Sequence, residues 1–303
     1  MLVLGPRRLP PVDTPAPNTY TSLSILTSVG FRTLEISDYI EAARKLRPDI
    51  VIGCADILYG DRRAAAGVKR KEKMGERSLA WMKGLTSGLK GADMRGKGPV
   101  SLWAPILPIE AEMQRGYLEY LTEDDTKEVL GGIVVFDRSS IESIPAELSD
   151  LPRLALTDVG TPHQILHELY LGADLFAIPF LTAASDAGVA LSFTFPGTES
   201  PQGKQPLGVD MWNSQHASDL SPLQSGCMCY TCSSHHRAFV QHLLSAKEML
   251  SWALLQIHNH AVIDAFFSGI RASIAKGTFN DDMDSFDKAY ESELPAGTGI
   301  GPR

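Results

Sequence analysis

Three cysteines within six positions, Cys227, Cys229 and Cys232, followed after 25 residues by His258, constrain this chain more than any other feature. Three thiols in one turn can wrap a single metal ion, and an imidazole from elsewhere can close the fourth corner. Zinc takes four such sulfur and nitrogen ligands in a tetrahedron, and structural zinc sites are closed in this way. One other cysteine exists, Cys54, so the cluster is not a disulfide framework with partners elsewhere.

The spacing also demands a fold-back. Residues 234–257 read as helical, with Phe239, Leu243, Ala246, Leu250, Leu254 and Ile257 on one apolar stripe. A single straight helix would leave His258 roughly 36–39 Å from Cys232 at about 1.5 Å per residue, too far for one ion. Ser245 and Glu248 form an S-x-x-E capping box, which predicts a second helix starting at Ser245. The two arms are then equal, 13 residues each, and a helical hairpin returns the histidine to the thiols. The expected ligand set is Cys227, Cys229, Cys232 and His258 around one structural Zn(2+). His260 and His235 are weaker candidates for the fourth corner.

At 303 residues with 44% hydrophobic and 21% charged content, the chain is expected to be globular, as one large domain or two smaller ones. A net charge of −8 argues against holding nucleic acid by overall charge, so any RNA contact needs a local basic patch or a basic partner. No apolar run approaches the roughly 18 residues of a membrane span. The apolar start is too short for a signal peptide, and a reduced intracellular compartment fits a thiolate site.

Along the chain, residues 1–35 are rich in Pro, Thr and Ser and read as an irregular segment. Strand and helix signals then alternate. Strands are expected at 49–54, 101–107, 132–136, 153–157 and 174–178, with an edge or hairpin strand at 189–195. Helices are expected at 37–46 (capped by Ser37), 63–89 and 110–122. Thr161, Pro162 and Gln164 supply N-cap, N1 proline and N3 glutamine for another. A Gly/Lys loop fills 90–98 and a long loop fills 196–223. Strands alternating with helices predict a parallel sheet with right-handed crossovers. Five such strands suit either an open doubly wound sheet or an α/β (β/α)8 TIM-type barrel lacking its first three units. The expected domains are residues 1–35 as the irregular segment, 36–195 as a partial (β/α) barrel, 196–276 as a zinc-binding helical subdomain, and 277–303 as a flexible acidic tail.

The C-x-C-x2-C-x25-H pattern resembles the zinc signature of the tRNA-guanine transglycosylase (queuine tRNA-ribosyltransferase) family. Further matches follow in order: Gly131-Gly132-Ile133 resembles its Gly-Gly strand, and Pro152-Arg153 through Val159-Gly160-Thr161-Pro162 its PR…VGTP stretch. Gly172-Ala173-Asp174-Leu175-Phe176 resembles its G-[IV]-D-[ML]-F strand, and His242-Leu243-Leu244 and His258-Asn259 match around the metal helices. The resemblance spans about residues 30–275. It implies a (β/α)8 barrel with a zinc subdomain, in which the five strands are the fourth to eighth.

The departures carry the functional expectation. Catalytic members of the family place a nucleophilic Asp directly after G-x-D-x-F, where its carboxylate attacks the ribose. Here that position is Ala177, so no catalytic residue is expected. The family's anticodon-contacting P-T-R-N-A-R segment is replaced by Thr182-Ala183-Ala184-Ser185-Asp186, without either arginine. The other active-site Asp, in a Ser-Gly-Gly motif, would fall in the missing units. The chain thus resembles the non-catalytic accessory members of the family. The resemblance implies a heterodimer with a catalytic subunit, contact with tRNA through that complex, exchange of guanine for queuine at the wobble position, and a location in the cytoplasm or at the mitochondrial outer surface. The alternatives are an active transglycosylase using another carboxylate (Asp56, Asp158 or Asp174) and a zinc-stabilised scaffold without an RNA role.

Other residues read more plainly. Asp174 is structural, and Asp56 and Asp158 are loop acids or remnants of a pocket. Cys54 is a small buried hydrophobe. The run Lys69-Arg70-Lys71-Glu72-Lys73 is a solvated helix face, or else touches RNA phosphate. His163 and His167 read as a surface pair. Phe239, Trp252, Phe266 and Phe267 are expected to pack the metal hairpin, with some facing a partner.

Overall fold

A computed structural model describes residues 1–7, 9, 11–90 and 101–299; the Gly/Lys loop expected at 90–98 lies almost wholly outside these. The chain divides into two compact units, Met1–Asp158 with Glu168–Ala177, and Val159–His167 with Ile178–Arg303. The boundary therefore falls earlier than the expected division at residue 195.

The first unit is built on a six-stranded sheet, all of whose pairings are parallel. In spatial order its strands are β1 (Val3–Leu4), β4 (Ile50–Ile52), β5 (Ser101–Ile106), β6 (Leu130–Val135), β7 (Arg153–Ala155) and β8 (Leu175–Phe176). Five were expected; β1 is the addition. It pairs Val3 with Ile50 and Leu4 with Val51. The Tyr39 hydroxyl lies 2.7 Å from the Ile52 carbonyl and 3.0 Å from that of Leu4, which ties both strands to one helix. Residues 1–35 are likewise not irregular: β2 (Ser22–Thr27) and β3 (Gly30–Glu35) form an antiparallel hairpin, with Gly30 at φ +98° beside its turn. A two-residue strand carries almost no periodic signal, and such a segment reads as loop until its partner is known.

Side chains of the sheet separate by strand period. Val51, Leu102, Ala104, Ile133, Val135 and Ala155 join one core. Into it go Tyr39 and Ala43 of α1 (Ile36–Leu46), Met74, Trp81, Met82 and Leu85 of α3 (Val68–Leu89), and Tyr117, Leu118 and Leu121 of α4 (Arg115–Thr122). The alternate residues Ile50, Ile52, Trp103, Val134 and Leu154 form a separate cluster on the opposite face. All three helices thus cover the same face, whereas a doubly wound sheet carries helices on both. This is the wall of a TIM-barrel-like fold, not an open doubly wound sheet. Trp103 fills the inner face directly over Gly132, where an added Cβ would come within 2.5 Å of its ring.

Boundaries differ locally from expectation. Helix α1 is capped at Glu35 with no side-chain hydrogen bond, and Ser37 lies inside it. The segment expected as one helix at 63–89 is two, α2 (Gly60–Ala64) and α3. A 3-10 turn, Ala111–Gln114, precedes α4, and the short α5 (Asp124–Lys127) follows it. Helix α6 (Pro162–Tyr170) starts at its N1 proline; Gln164 Oε1 accepts from the Gly160 N–H at 2.6 Å, one residue before the expected partner.

The second unit contains α7 (Pro179–Asp186), the antiparallel pair β9 (Val189–Leu191) and β10 (Gly208–Asp210), and the helices α8 (Tyr230–Ser234), α9 (Arg237–Ser245), α10 (Met249–Lys276) and α11 (Phe279–Ala289). The hairpin expected at 189–195 is present but shorter, and β10 with a 3-10 turn occupies the expected loop 196–223. The expected flexible tail is also corrected. Helix α11 buries Phe286 against Phe193, Phe195 and Phe266, edge-on or tilted, with centroids 5.7–6.0 Å apart. Of the four aromatics expected on the metal hairpin, Phe239 and Trp252 pack with Val240, Leu243 and Leu254, whereas Phe266 belongs to the Phe193/Phe286 cluster.

Candidate metal centre

The fold-back required by the cysteine–histidine spacing is present, with different arms. Helix α9 ends at Ser245, so that serine cannot begin the next helix. The reversal is a Schellman motif. The Glu248 N–H donates to the Leu243 carbonyl and the Lys247 N–H to that of Leu244, each at 2.9 Å, and Lys247 holds φ +57°. Helix α10 then starts at Met249 with Glu248 as its cap and runs through His258 to Lys276. A lysine in the left-handed position gives no sequence signal, unlike glycine, so the break reads three residues too early. The expected stripe also dissolves at the break: Leu243 and Leu254 are buried, but Ala246, Leu250 and Ile257 are exposed.

The reversal brings His258 of α10 back to the cysteine turn, and the four expected ligands converge. Their donor atoms all lie within 4.8 Å of one another. His258 Nδ1 stands 3.7 Å from Cys227 Sγ, 3.6 Å from Cys229 Sγ and 3.4 Å from Cys232 Sγ. Bonds of about 2.3 Å to sulfur and 2.0–2.1 Å to nitrogen at tetrahedral angles place S and N about 3.6 Å apart. The residues therefore fit a tetrahedral ion of zinc's size.

The second layer prepares the donors. The His258 ring is fully buried, and its Nε2 lies 2.8 Å from the Leu191 carbonyl of β9. A carbonyl only accepts, so Nε2 carries the proton and the Nδ1 lone pair faces the sulfurs. Burial lowers the His258 pKa, which favours the neutral, ligating form. Burial pushes the Cys232 thiol up to about 12 and raises Cys227 as well. These thiols would stay protonated without a nearby cation; a divalent ion would hold them as thiolates. Asn259, next in the chain, accepts from the Leu191 N–H at 2.8 Å and donates to the Val189 carbonyl at 3.0 Å, fastening α10 to β9. Thr231 Oγ1 donates to the Leu254 carbonyl at 2.7 Å, fastening the cysteine turn to α10. The weaker ligand candidates are placed elsewhere. His235 stacks on Phe239, and His260 lies beside Gln256.

The position at which the resemblance would place a nucleophile carries no carboxylate. Ala177 follows β8 and donates its N–H to the Ala155 carbonyl. Barrel chemistry sits at the C-terminal ends of strands, where this methyl group stands. Asp174 lies at the opposite, N-terminal end, accepting from the Arg153 N–H at 2.8 Å, a structural role as expected. Asp56, beyond β4, is not a loop acid in solvent. It is fully buried, receives two hydrogen bonds from Arg70, one from Arg77 and one from Asn18, and accepts none that could be released to a ligand without breaking that cage. Its burial raises the pKa, but the hydrogen bonds and charge of Arg70, with Arg77 and Asn18, outweigh this and hold it below the ordinary carboxylate range. Asp158, beyond β7, is exposed in a left-handed backbone conformation with φ +58°.

Thr182–Asp186 is part of α7, where Ser185 is buried and accepts from Asn259 Nδ2 at 2.9 Å. His163 is not a surface residue. Its ring is half-buried edge-on to Phe286, with Nε2 3.7 Å from Asp287, while His167 is exposed. Cys54 is fully buried, and burial raises its thiol to about 12, consistent with a small hydrophobe. No helix among the described residues is long and apolar enough to cross a membrane.

Comparison with known proteins adds a family. The family model for queuine tRNA-ribosyltransferase matches residues 6–292. The chain is 36% identical over 303 residues to the queuine tRNA-ribosyltransferase accessory subunit 2 of Schizosaccharomyces pombe, covering 99% of this chain and 67% of that protein. It is 34% identical to the accessory subunit 2 of Xenopus laevis over 46% of this chain and 41% of that protein. It is 33% identical to a queuine tRNA-ribosyltransferase of Symbiobacterium thermophilum over 47% of this chain and 32% of that protein. The chain thus spans two thirds of the first relative's length and less than half of the other two.

Proposed function

From the premise that the chain belongs to the queuine tRNA-ribosyltransferase family, we propose that it is a non-catalytic accessory subunit in tRNA modification. It pairs with a catalytic subunit that exchanges guanine for queuine at the wobble position. The observation that carries this reading is Ala177, a methyl group after β8 where covalent catalysis needs a carboxylate. The other candidate acids support it, since Asp56 is caged by two arginines and Asp174 lies at the wrong end of its strand.

The ion in the Cys227, Cys229, Cys232 and His258 cluster is Zn(2+), one per chain, and its role is structural. A three-thiolate, one-imidazole set leaves no corner for water. The metal would pin the cysteine turn to α10, whose Leu250 and Ile257, seven residues apart on one face, are 49% and 43% exposed. That apolar face suits a partner helix better than solvent. The complex works in the cytoplasm or at the mitochondrial outer surface; fractionation of tagged cells tests this.

The purified chain alone is expected to incorporate no labelled guanine into cognate tRNA, and to restore exchange when mixed one-to-one with the catalytic subunit. Exchange by the isolated chain would overturn the reading. One observation favours a second reading, an active enzyme: the strained, exposed Asp158 at the C-terminal end of β7. In that case exchange by the isolated chain disappears in Asp158→Ala.

A further inference from the structure

Two successive residues of α10 grip one residue of β9. His258 Nε2 lies 2.8 Å from the Leu191 carbonyl, and Asn259 Oδ1 accepts from the Leu191 N–H, also at 2.8 Å. Both Leu191 groups point toward α10, while the next residue, Ser192, turns the other way and donates to the Leu207 carbonyl. His258 therefore works in two directions: Nδ1 faces the three sulfurs and Nε2 fixes the strand.

Asn259 extends that grip to a third element. Its Nδ2 donates to the Val189 carbonyl at 3.0 Å and to Ser185 Oγ of α7 at 2.9 Å. Ser185 Oγ in turn donates to the Leu181 carbonyl, one turn earlier, at 2.9 Å. An amide side chain carries an accepting oxygen and two N–H donors, and here the oxygen and both donors are engaged. Asn259 and Ser185 are both 0% exposed, so water cannot replace a lost partner. Apolar contacts alone would hold α7 against α10 but let them slide; these directional bonds fix one arrangement.

Metal loading acts on the same residues. A divalent ion in the cluster would fix the His258 ring, and with it the grip on Leu191 and the setting of Asn259. Without the ion, only weak S–H donors face Nδ1. We propose that Asn259 is a positioning residue that couples the Cys227, Cys229, Cys232 and His258 cluster to α7. Filling the cluster fixes α7, and loosening α7 weakens the hold on the ion, because coupling between two sites is reciprocal. The inference rests on the metal occupancy proposed above. It reaches the surface given there to the partner: Gln256, beside the exposed Ile257, lies 3.5 Å from Thr182 of α7.

Two measurements on the full chain test it. Zinc content and affinity are read by competition with a chromophoric chelator. Amide hydrogen exchange is followed, with and without zinc, in 179–191 and for reference in 279–289. Removing zinc should raise exchange in 179–191 at least tenfold more than in 279–289. Ser185→Ala deletes the acceptor on α7 and leaves Asn259 and the four ligands in place. It should weaken zinc binding at least threefold and remove most of the extra zinc-dependent protection. Asn259→Ala should weaken zinc binding at least as much; if that variant does not fold, Ser185→Ala decides alone. Phe286→Leu, a fully buried change in the same unit but off this path, should leave zinc affinity within twofold. Unchanged zinc binding in Ser185→Ala, an equal loss in Phe286→Leu, or a uniform rise of exchange in both segments overturns the coupling while the metal site stands. A folded chain that binds no zinc overturns both.

Discussion

A single buried carboxylate shows how position changes the meaning of a residue. In sequence, Asp56 is an acid after a strand, read first as a solvated loop acid and only second as the remnant of a base-recognition pocket. In the fold it is fully buried and spent on Arg70, Arg77 and Asn18, with Ser78 Oγ accepting from its backbone N–H. Asp56→Asn removes the charge and leaves two guanidiniums facing an amide. A loss of about 2–3 kcal/mol is expected in urea melts, below the fully buried range because Arg70 retains solvent contact. The pH dependence follows from the lowered pKa. The contribution is present above the ordinary Asp value of about 3.9 and disappears as pH falls through the lower folded value. Melts between pH 6 and pH 3 should therefore show an acid loss that is smaller in Asp56→Asn. Ala177 needs no such context, since an alanine is no nucleophile in any fold.

At the scale of elements, the chain's reversals decided what the patterns could reveal. Helix α6 announced itself through Thr161, Pro162 and Gln164, because side-chain caps are written in residue type. The break between α9 and α10 did not, because Lys247 occupies a conformation usually left to glycine. Helix α11 was hidden by its acids, although Phe279, Met283, Phe286 and Tyr290 already carry helical spacing. The exposed face of α10 is the element-scale test of partnership. Leu250→Glu with Ile257→Glu is expected to cost no more than about 1–2 kcal/mol, since about half of each side chain is already in solvent. The same variant should lose co-purification with the catalytic subunit, measured by size-exclusion chromatography.

At the scale of the whole molecule, two units with separate cores predict separable unfolding. Calorimetry is expected to show two transitions, and a chelator should lower only the one belonging to the unit that holds the Cys227, Cys229, Cys232 and His258 cluster. Cys229→Ser should do the same without chelator, costing on the order of 3 kcal/mol or more. A second transition unmoved by chelation, with no zinc by mass spectrometry in the folded protein, would remove the structural role of the metal. The sequence by itself determined the Cys227, Cys229, Cys232 and His258 cluster, the fold-back it requires and the parallel α/β pattern, because spacing and strand period are local properties; the meaning of Ala177 came from resemblance to the family. Only the tertiary structure decided that β1 pairs with β4, that all the packed helices take one face of the sheet, and that Asn259 joins α10 to β9 and α7. Those are facts of long-range pairing: a two-residue strand and a single asparagine have no pattern until the chain brings their partners together.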